Sequence, residues 1–382
     1  MTTSNEHSVD LGKRADSSTS GTETLLRLEN VVKRFPVQST SLLRRQRDFV
    51  HAVQDVSLEL RRGETLGLVG ETGCGKSTLA RCASRLYDIN SGRIEFDGQD
   101  ISTLGRRELR PLRRRIQMIF QDPYGSLNPR RRVGSIIADP LRIHNIGDRR
   151  EHKRKVQETM ELVGLNPEHY NRFPAEFSGG QRQRIGIARA LIVRPDLIIC
   201  DEPVSALDVS IQAQILNLLD DLQGEFDLTY LFIAHDLSVV RHISDRVAVM
   251  YLGKVVEIGE TEQLYTTPRH PYTTALLSAA REPDPDLVHE RERIMLAGDP
   301  PSPIFIPSGC AFHPRCPKAQ EDCSVTLPPL ESVLGDRSNH QAACLHPVEE
   351  GEILASATIA VLPADPTVAV GDGLAHEPEV DQ

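Results

Sequence analysis

The sequence has no tryptophan, few aromatic residues and no long apolar segment. Phe, Trp and Tyr together make up 4% of its 382 residues. A membrane-spanning helix needs about 20 consecutive, mainly apolar residues, and no stretch of the chain has this composition. Residues 1–24 are polar throughout and lack the apolar centre of a secretory signal. We therefore expect a cytoplasmic protein that reaches a membrane only through partner proteins.

The chain also lacks a net positive charge. The formal net charge is −10, so most of the chain lacks the clustered Lys and Arg of a nucleic-acid-binding surface. The charge is uneven, because residues 349–382 contain eight acidic residues and neither Lys nor Arg. This composition predicts a disordered acidic tail over 348–382, and the Ser- and Thr-rich residues 1–23 predict a disordered leader. The basic segment 42–48 is interpreted either as a solvated loop or as a contact to anionic lipid or a partner.

The sequence does contain short apolar runs that alternate with helical stretches. The runs 65–69, 197–200 and 230–234 are predicted to be buried strands, with a helix near 210–224 between the last two. Residues 105–195 have a charged, helical pattern. This alternation is typical of an α/β fold with a mainly parallel sheet, and hairpin patterns early and late in the chain predict a smaller antiparallel sheet beside it.

A phosphate-binding loop is the first motif that carries chemistry. Gly70–Ser77 matches the pattern G-x-x-x-x-G-K-[ST] between a predicted strand and a predicted helix, Ser77–Leu86. The loop backbone can point N–H groups at phosphate oxygens, and the helix N-terminus favours an anion. Lys76 is expected to reach the β- and γ-phosphates, Ser77 to coordinate Mg²⁺ and Thr78 to add a hydroxyl contact. The glycines that let the backbone wrap around the phosphates are Gly70, Gly73 and Gly75.

Two carboxylates follow the apolar run at 197–200. In a parallel sheet the carboxyl end of a strand borders the ligand crevice, so Asp201 and Glu202 are expected beside the phosphate loop. Asp201 is predicted to hold Mg²⁺ through water, because Mg²⁺ keeps several of its waters in proteins. Glu202 is predicted to be the general base that orients and activates the attacking water. The loop and this pair together predict a nucleotide-hydrolysing enzyme.

A second glycine-rich helix start identifies the family that the chain resembles. Phe177–Gln183 (FSGGQRQ) resembles the LSGGQ signature of ABC ATPases, with Phe177 replacing the usual Leu at a packing position. Ser178 is suited to cap the following helix. A second phosphate-binding helix start makes sense if two such domains pack head to tail, each closing the ATP site of the other. The resemblance then implies ATP contacts for Ser178, Gly179, Gly180 and Gln181.

Other positions match the ABC family one by one. Gln121 resembles the glutamine that senses Mg²⁺ and the attacking water, and His235 resembles the histidine that contacts the γ-phosphate. Asp208, in the segment SALD, resembles the loop that crosses the dimer interface, and Phe35 lies where the family has an adenine-stacking aromatic residue. The resemblance implies that two domains enclose two MgATP, that closure pulls on membrane-embedded partners and that hydrolysis reopens the pair.

Two further stretches resemble the ATPases of bacterial oligopeptide and dipeptide importers: QDPYGSLNPR at 121–130 and RHPYT at 269–273. The resemblance implies a second, related or identical ATPase chain, two membrane subunits and an extracytoplasmic binding protein, with this chain at the cytoplasmic face of the membrane. Nickel, opine, glutathione and some oligosaccharide importers share these stretches and stay open as alternatives. The implied organisation is an ATPase domain over 24–282, with a helical subdomain near 122–192, and a C-terminal extension over 283–347.

The extension is rich in proline and cysteine and is predicted to be a small, irregular appendage. Its cysteines follow the spacing C-x₅-C-x₆-C-x₂₀-C, at Cys310, Cys316, Cys323 and Cys344. Four thiolates suit Zn²⁺ or an iron–sulfur cluster, but the first spacing is longer than the C-x₂₋₄-C of common structural zinc sites. The spacing favours a [4Fe–4S] cluster, with Zn²⁺ and no metal as alternatives. The nearby histidines are interpreted as surface residues more than as ligands: His313, His340 and His346.

One rival class of function is a soluble ABC ATPase that acts on DNA or ribosomes. Chromosome-type members insert a long coiled coil between the phosphate loop and the signature, and translation-type members carry two ATPase halves in one chain. The sequence has neither feature. A degenerate regulatory ATPase loses the acid or the histidine, whereas Glu202 and His235 are both present. A transport ATPase is therefore the prediction, and the extension favours import over export.

Overall fold

The computed structural model describes residues 23–37, 48–122, 124–279, 294–296, 298–333 and 339–354. Several predictions fall outside these residues: the leader except Glu23, the basic segment except Asp48, the domain boundary near 282, and the acidic tail from 355 onward. Among the described residues, no helix combines the length and the apolar character needed to cross a membrane.

The described ranges contain twelve strands, many of them at the apolar runs of the sequence. They are β1 (Thr24–Pro36), β2 (Phe49–Arg61), β3 (Thr65–Val69), β4 (Ser91–Phe96), β5 (Gln99–Asp100), β6 (Ile116–Ile119), β7 (Leu197–Asp201), β8 (Thr229–Ile233), β9 (Arg246–Tyr251), β10 (Lys254–Glu260), β11 (Glu331–Ser332) and β12 (Gln341–Ala342). The predicted strands at 65–69, 197–200 and 230–234 correspond to β3, β7 and β8.

Ten α-helices lie in the described part of the chain. They are α1 (Lys76–Ala83), α2 (Leu109–Arg115), α3 (Val133–Ile137), α4 (Asp139–Ile143), α5 (Arg149–Leu162), α6 (Gly179–Leu191), α7 (Val209–Phe226), α8 (Leu237–Ile243), α9 (Thr261–Thr266) and α10 (Pro271–Ala279). Local capping explains several starts. Asp148, for example, accepts from the backbone N–H groups of Arg150 and Glu151 at the start of α5.

The strands form two sheets. An antiparallel sheet has the order β2-β1-β4-β5, and a larger sheet has the order β11-β12-β10-β9-β3-β8-β7-β6. Strands β9, β3, β8, β7 and β6 pair in parallel, whereas β10, β12 and β11 continue the larger sheet in antiparallel fashion. The mixture of a mainly parallel sheet with a smaller antiparallel one is the architecture that the sequence predicts.

The core lies on both faces of the larger sheet. Every residue of β3, β7 and β8 is buried, as expected for strands that are covered on both sides. Along β8, Tyr230 and Phe232 pack with the helices that follow residue 122, while Leu231 and Ile233 pack with α1 and the antiparallel sheet. The register sets Leu68 and Asp201 opposite Ile233, so the carboxyl ends of the three central strands meet at one edge.

Two local predictions need correction. The stretch 105–195 is not all helical, because β6 lies within it and pairs with β7 at the edge of the sheet. Its short apolar run follows the arginine-rich α2 directly, which hides the strand in the overall charge of the region. The helix predicted over Ser77–Leu86 ends at Ala83, because Arg85 takes a left-handed φ of 53°.

The C-terminal extension is more integrated than a small irregular appendage. Its strand β12 pairs with β10 and so continues the main sheet. The packed region also reaches beyond the predicted boundary at 347, because the N–H of Val348 donates to the oxygen of Arg269 at 2.8 Å and Leu354 is buried. Backbone pairing and apolar burial of this kind connect residues far apart in sequence, so local patterns give little sign of them.

Candidate nucleotide-binding site

The loop after β3 is held against the sheet edge by its glycines. Gly70, Gly73 and Gly75 have φ values of 151°, 84° and 110°, a region that glycine adopts without strain. A Cβ atom at Gly75 would lie 2.0 Å from the backbone oxygen of Ala52, so no side chain fits there. Because α1 begins at the next residue, this close approach sets a helix N-terminus at the sheet edge, where an anion is favoured.

Lys76 folds back onto this loop. Its Nζ atom donates to the backbone oxygens of Gly70 at 2.7 Å and Glu71 at 3.0 Å, and the residue is 4% exposed. Gly70 is buried at the start of the loop. The loop residues that line the adjoining pocket are Thr72, Gly73, Gly75, Lys76, Ser77 and Thr78. Most of the residues predicted to bind phosphate therefore share one pocket.

Ser77 and Asp201 meet beneath the loop. The Ser77 Oγ donates to Oδ1 of Asp201 at 2.6 Å, and Arg81 lies 3.7 Å from the other carboxylate oxygen. Asp201 ends β7 and is 1% exposed. Burial raises the pKa of this carboxyl group above its usual range, although Ser77 and Arg81 oppose the shift. A nearby cation would favour the ionised form, so this hydroxyl–carboxylate pair has the chemistry of a Mg²⁺ site.

Glu202 is the meeting point of three segments. It takes a left-handed φ of 48°, and its N–H donates to the oxygen of Ile233 at 3.0 Å. Its Oε2 accepts from Nε2 of Gln121 at 2.8 Å and lies 3.4 Å from Nδ1 of His235. The structure thus brings together Gln121, Glu202 and His235, which follow β6, β7 and β8. The strand-end argument predicts this position for Glu202, and the ABC resemblance indicates the other two.

These residues border a pocket of about 750 Å³, within the range of about 300–1,000 Å³ that is usual for small-molecule sites. Phe35 forms part of the wall, and its ring lies edge-on to Tyr87 with centroids 5.6 Å apart. Lys33 lies over the Phe35 ring at 5.0 Å. An aromatic ring at this end and the phosphate loop at the other suit a ligand with a flat apolar part and an anionic part.

None of the signature residues lines this pocket. Ser178 caps α6 by accepting from the N–H of Gln181 at 3.3 Å, and Gln181 returns the contact by accepting from the N–H of Ser178 at 3.0 Å. Phe177 is 4% exposed, in agreement with its predicted packing role. Asp208 precedes α7 and is exposed. The predicted ATP contacts that do not line the pocket are Gly70, Ser178, Gly179, Gly180, Gln181 and Asp208.

Comparison with known proteins decides the family. Residues 53–205 match the ABC transporter family, and residues 256–323 match the oligopeptide/dipeptide transporter C-terminal region. The chain is 54% identical over 323 residues to the oligopeptide transport ATP-binding protein AppF of Bacillus subtilis, covering 84% of this chain and 97% of that protein. The chain belongs to the ABC transporter ATP-binding proteins.

Other relatives agree with this assignment. The probable peptide ABC transporter ATP-binding protein y4tS of Sinorhizobium fredii is 52% identical over 308 residues, which is 81% of this chain and 86% of that one. A dimeric post-hydrolysis structure of the ATP-binding cassette MJ0796 with ADP and Pi has a TM-score of 0.56 at 28% identity, covering 62% of this chain and 99% of that chain. The structure of cbiO1 from Clostridium perfringens has a TM-score of 0.55 at 27% identity, covering 64% and 91%.

Membership of the ABC family confirms two predictions. The fold is the ABC-type P-loop architecture, with a mainly parallel sheet, an antiparallel sheet and a helical region. The protein is an ATPase coupled to transport, and ATP with Mg²⁺ is what this family uses. The match over residues 256–323 also confirms the resemblance of the C-terminal extension to that of peptide transporters.

The four late cysteines of this ABC ATPase surround one small pocket in the extension. Cys310, Cys316, Cys323 and Cys344 all line it. Burial raises the pKa of Cys316 and of Cys344 to about 12, and neighbouring cysteines add to both shifts. The lining of one pocket by all four cysteines is the structural observation that bears on the prediction of an iron–sulfur cluster.

The three nearby histidines have different surroundings. His340 is 0% exposed, and its Nε2 lies 2.8 Å from Oε1 of the buried Glu257, so the prediction that it is a surface residue is wrong. His313 and His346 line the cysteine pocket. The Nε2 of His346 lies 3.0 Å from both oxygens of Asp322. Among the described residues, Asp322, Cys323 and His346 form the one group of three whose ligand atoms lie within 4.8 Å of one another.

Sequence reasoning missed one wall of the nucleotide pocket. Pro303, from the extension, lines the pocket on the side of Phe35 and Val50. Its backbone oxygen accepts from the N–H of His51 in β2 at 2.9 Å. No spacing or periodicity links these two segments, and the contact follows from the way the extension folds back over the antiparallel sheet.

Proposed function

We propose that this chain is the ATP-hydrolysing subunit of a bacterial importer of oligopeptides or dipeptides. The observation that carries this proposal is the combination of an ABC cassette with the peptide-transporter type of C-terminal region at 256–323. AppF and y4tS are named as oligopeptide and peptide transport proteins, and they match along most of their length. On this proposal the ATPase domain spans 24–282, its helical subdomain 122–192, and the extension the residues after it.

The partners follow from the arrangement of the site. The signature residues do not line the phosphate pocket of their own chain, which supports a head-to-tail pair with a second ABC ATPase chain, identical or related. Two transmembrane permease subunits supply the channel, and an extracytoplasmic binding protein delivers the substrate. The chain works at the cytoplasmic face of the membrane, as a peripheral subunit held by the permeases, and takes no nucleic acid as a partner.

The predicted nucleotide-site residues have separate roles in ATP binding and hydrolysis. Lys76 leaves the backbone oxygens of its own loop and binds the β- and γ-phosphates, where Gly73, Gly75 and Thr78 add further donors. Ser77 and Asp201 hold Mg²⁺, which neutralises phosphate charge when bound. Glu202 orients and deprotonates the attacking water, Gln121 helps to position that water and would contact Mg²⁺, and His235 contacts the γ-phosphate. Phe35 stacks against adenine.

The signature of the partner chain completes the site. Its Ser178 and the N–H groups at the start of α6, including that of Gln181, face the γ-phosphate across the interface, and Gly179 and Gly180 allow the close approach. Asp208 lies at the same interface. Closure of the pair assembles both sites and moves the permeases, and hydrolysis weakens the contact by removing the bridging phosphate.

We also propose that the extension holds a [4Fe–4S] cluster at Cys310, Cys316, Cys323 and Cys344. Two observations support the fit: the four thiol side chains surround one pocket, and Nε2 of the buried His270, which lines that pocket, has no hydrogen-bond partner. The pocket volume is small, about 10 Å³, so the preference for a cluster over Zn²⁺ rests on the cysteine spacing C-x₅-C-x₆-C-x₂₀-C, which is longer than that of common structural zinc sites. The cluster would stabilise a segment with little apolar core of its own.

The cluster proposal is tested by metal analysis after anaerobic purification of the full chain. We expect iron and acid-labile sulfide in equal amounts, and their loss in Cys316→Ser. The matched control is Cys82→Ser, because Cys82 is buried in α1 and belongs to a different core. Zinc in place of iron would refute the cluster and support a zinc site at the same cysteines. A metal-free chain with native folding would refute both metal sites.

The transport proposal is tested with the assembled transporter. The chain is co-expressed with the neighbouring membrane subunits, and ATP hydrolysis is measured as peptides are added with the binding protein. We expect peptide-stimulated hydrolysis. Stimulation by nickel chelates, opines, glutathione or oligosaccharides, without an effect of peptides, would move the chain to a related importer class. Binding to DNA or ribosomes instead of permeases would contradict the transport role itself.

A further inference from the structure

The C-terminal extension reaches the phosphate loop through an arginine. Nη1 of Arg315 donates to Oε2 of Glu71 at 2.9 Å, and Nη2 donates to Oε1 at 3.2 Å. Glu71 is the second residue of the phosphate loop and lies 244 positions earlier in the chain. A guanidinium that binds a carboxylate through two parallel hydrogen bonds fixes both distance and orientation, so this pair is a directional link between the two regions.

The arginine of this pair is buried and the glutamate is partly buried. Arg315 is 8% exposed and the Glu71 side chain is 25% exposed. Exposed ion pairs contribute little to stability, whereas removal of one partner from a buried pair leaves a charge without its counterpart. A substitution at either residue therefore has an effect that a surface arginine would not produce.

Glu71 is held on its backbone as well as on its side chain. Its N–H donates to the hydroxyl of Tyr272 at 2.9 Å. Its backbone oxygen accepts from Nζ of Lys76 at 3.0 Å and from the N–H of Cys74 at 3.2 Å. The peptide group of Glu71 is thus tied to the lysine that is proposed to bind phosphate, so the position of Glu71 affects the shape of the whole loop.

Arg315 is itself anchored in a buried aromatic cluster. It ends the 3₁₀ turn His313–Arg315, in which its N–H donates to the oxygen of Phe312 at 3.0 Å. The Phe312 ring packs against Tyr251 and Tyr272, with centroid distances of 5.2 Å and 5.3 Å. All three rings are at most 2% exposed. This packing fixes the position of the Arg315 guanidinium behind the phosphate loop.

We propose that Arg315 is a positioning residue of the nucleotide site, which acts through Glu71 to hold the phosphate loop in its ATP-binding conformation. The inference rests on the proposed nucleotide site at 70–78. It makes the extension a working part of the ATPase rather than a separate module, because the arginine that supports the loop comes from the extension.

Arg315→Met is the first test, with equilibrium binding of a non-hydrolysable ATP analogue and Mg²⁺ to the full chain. We expect affinity to fall about tenfold, which corresponds to about 1.4 kcal/mol. In the assembled transporter the KM for ATP rises by a similar factor, while kcat at saturating ATP changes much less. Arg315→Lys restores part of the affinity, because it keeps the charge and loses the two-point geometry.

Glu71→Gln is the second test, since it alters the same pair from the loop side. It is expected to weaken analogue binding to a similar extent. The double variant with Arg315→Met binds no more weakly than the weaker single variant, because both changes remove one interaction. The control is Arg154→Met, which breaks the ion pair with Glu158 on α5, where Arg154 is 63% exposed, and is expected to leave affinity unchanged.

The outcomes separate this inference from the nucleotide site on which it rests. If Lys76→Ala loses analogue binding while Arg315→Met and Glu71→Gln bind like the native chain, Arg315 has no positioning role and the inference is overturned. The inference is also overturned if the losses of binding free energy in Arg315→Met and Glu71→Gln add up in the double variant and each loss of affinity is matched by a fall in the midpoint of thermal unfolding. Native binding by Lys76→Ala would instead refute the nucleotide site itself.

Discussion

The phosphate-loop region and the signature region of this ATPase differ in how many of their functional side chains already have partners within one chain. Around the phosphate loop, Lys76, Asp201 and Glu202 already have hydrogen-bond or ionic partners and are largely buried. At the signature, Ser178 caps its own helix and is exposed, and Val209 beside Asp208 is 81% exposed. The first region is a formed site, whereas the second is a surface whose proposed ligand belongs to another chain.

The difference has a physical basis. A site for a charged phosphate needs donors that are fixed before the ligand arrives, and the sheet edge provides them from three strand ends and a helix start. A glycine-rich helix start on the surface leaves its backbone N–H groups open to close approach by a ligand from another chain. We therefore predict that substitutions in the first region disturb binding or chemistry within a chain, while substitutions in the second disturb only the closed pair.

The largest effect is expected for Glu202→Gln. Loss of the proposed base lowers turnover by on the order of 10²–10⁴-fold, while ATP still binds and holds the pair closed. Hydrolysis and nucleotide retention are measured in the assembled transporter. The control Glu262→Gln changes a carboxylate that is 76% exposed and should have native activity. Undiminished hydrolysis by Glu202→Gln would refute the general-base assignment.

Lys76→Ala is expected to act on affinity. The loss of charge-assisted hydrogen bonds of about 1.5–3 kcal/mol each weakens ATP binding by roughly 100-fold. Equilibrium binding of ATP to the purified full chain measures this change, with Lys153→Ala on the exposed surface of α5 as control. Normal affinity in Lys76→Ala would contradict the phosphate role of this lysine and the nucleotide site that depends on it.

A smaller and more selective effect is expected for Ser178→Ala. The substitution removes a helix cap, which costs about 1 kcal/mol, and a hydroxyl that is proposed to reach the partner's nucleotide. Hydrolysis by the transporter falls, while ATP binding to the separate chain stays native. Asp148→Ala also removes a helix cap, at α5, and should leave hydrolysis unchanged. Equal losses in the two variants would assign the effect to folding and not to the interface.

The smallest effect concerns stability. Burial raises the pKa of Asp201, so its ionised form is less favourable in the folded chain than in the unfolded one. At neutral pH without nucleotide, Asp201→Asn should therefore stabilise the chain by roughly 1 kcal/mol, a usual size for relief of a strained functional site. The gain shrinks as pH falls into the range where the carboxyl is protonated. Thermal unfolding across pH measures it, and destabilisation at every pH would contradict this prediction.

The sequence predicted the nucleotide site better than its surroundings. The phosphate loop is a contiguous motif, and the rule that strand ends border the ligand crevice was enough to predict Asp201 and Glu202 beside it. Gln121 and His235 were predicted from the ABC resemblance. The short strand β6 was not predicted, because its four residues follow a run of arginines. The pocket wall at Pro303, the pair Arg315–Glu71 and the buried His340 escaped because each depends on a contact between segments far apart in the chain.

The four late cysteines also show which features a sequence pattern predicts and which it does not. Their spacing predicted that they act together, and the four side chains do line one pocket. Spacing had no bearing on the position of that pocket next to α10 and the aromatic cluster of Tyr251, Tyr272 and Phe312. Tertiary packing, not local pattern, decides that this region lies behind the phosphate loop.

The central claim is that each ATP site is shared between two ATPase chains, and ATP-dependent pairing tests it most directly. The Glu202→Gln chain is purified with the ATPase chain that pairs with it, and association is measured with and without ATP and Mg²⁺, in the presence and absence of a second substitution, Ser178→Asp. Aspartate still caps a helix but repels a phosphate. We predict that ATP drives pairing and that Ser178→Asp weakens it without changing ATP binding to the separate chain. Equal pairing with and without Ser178→Asp would contradict the shared site.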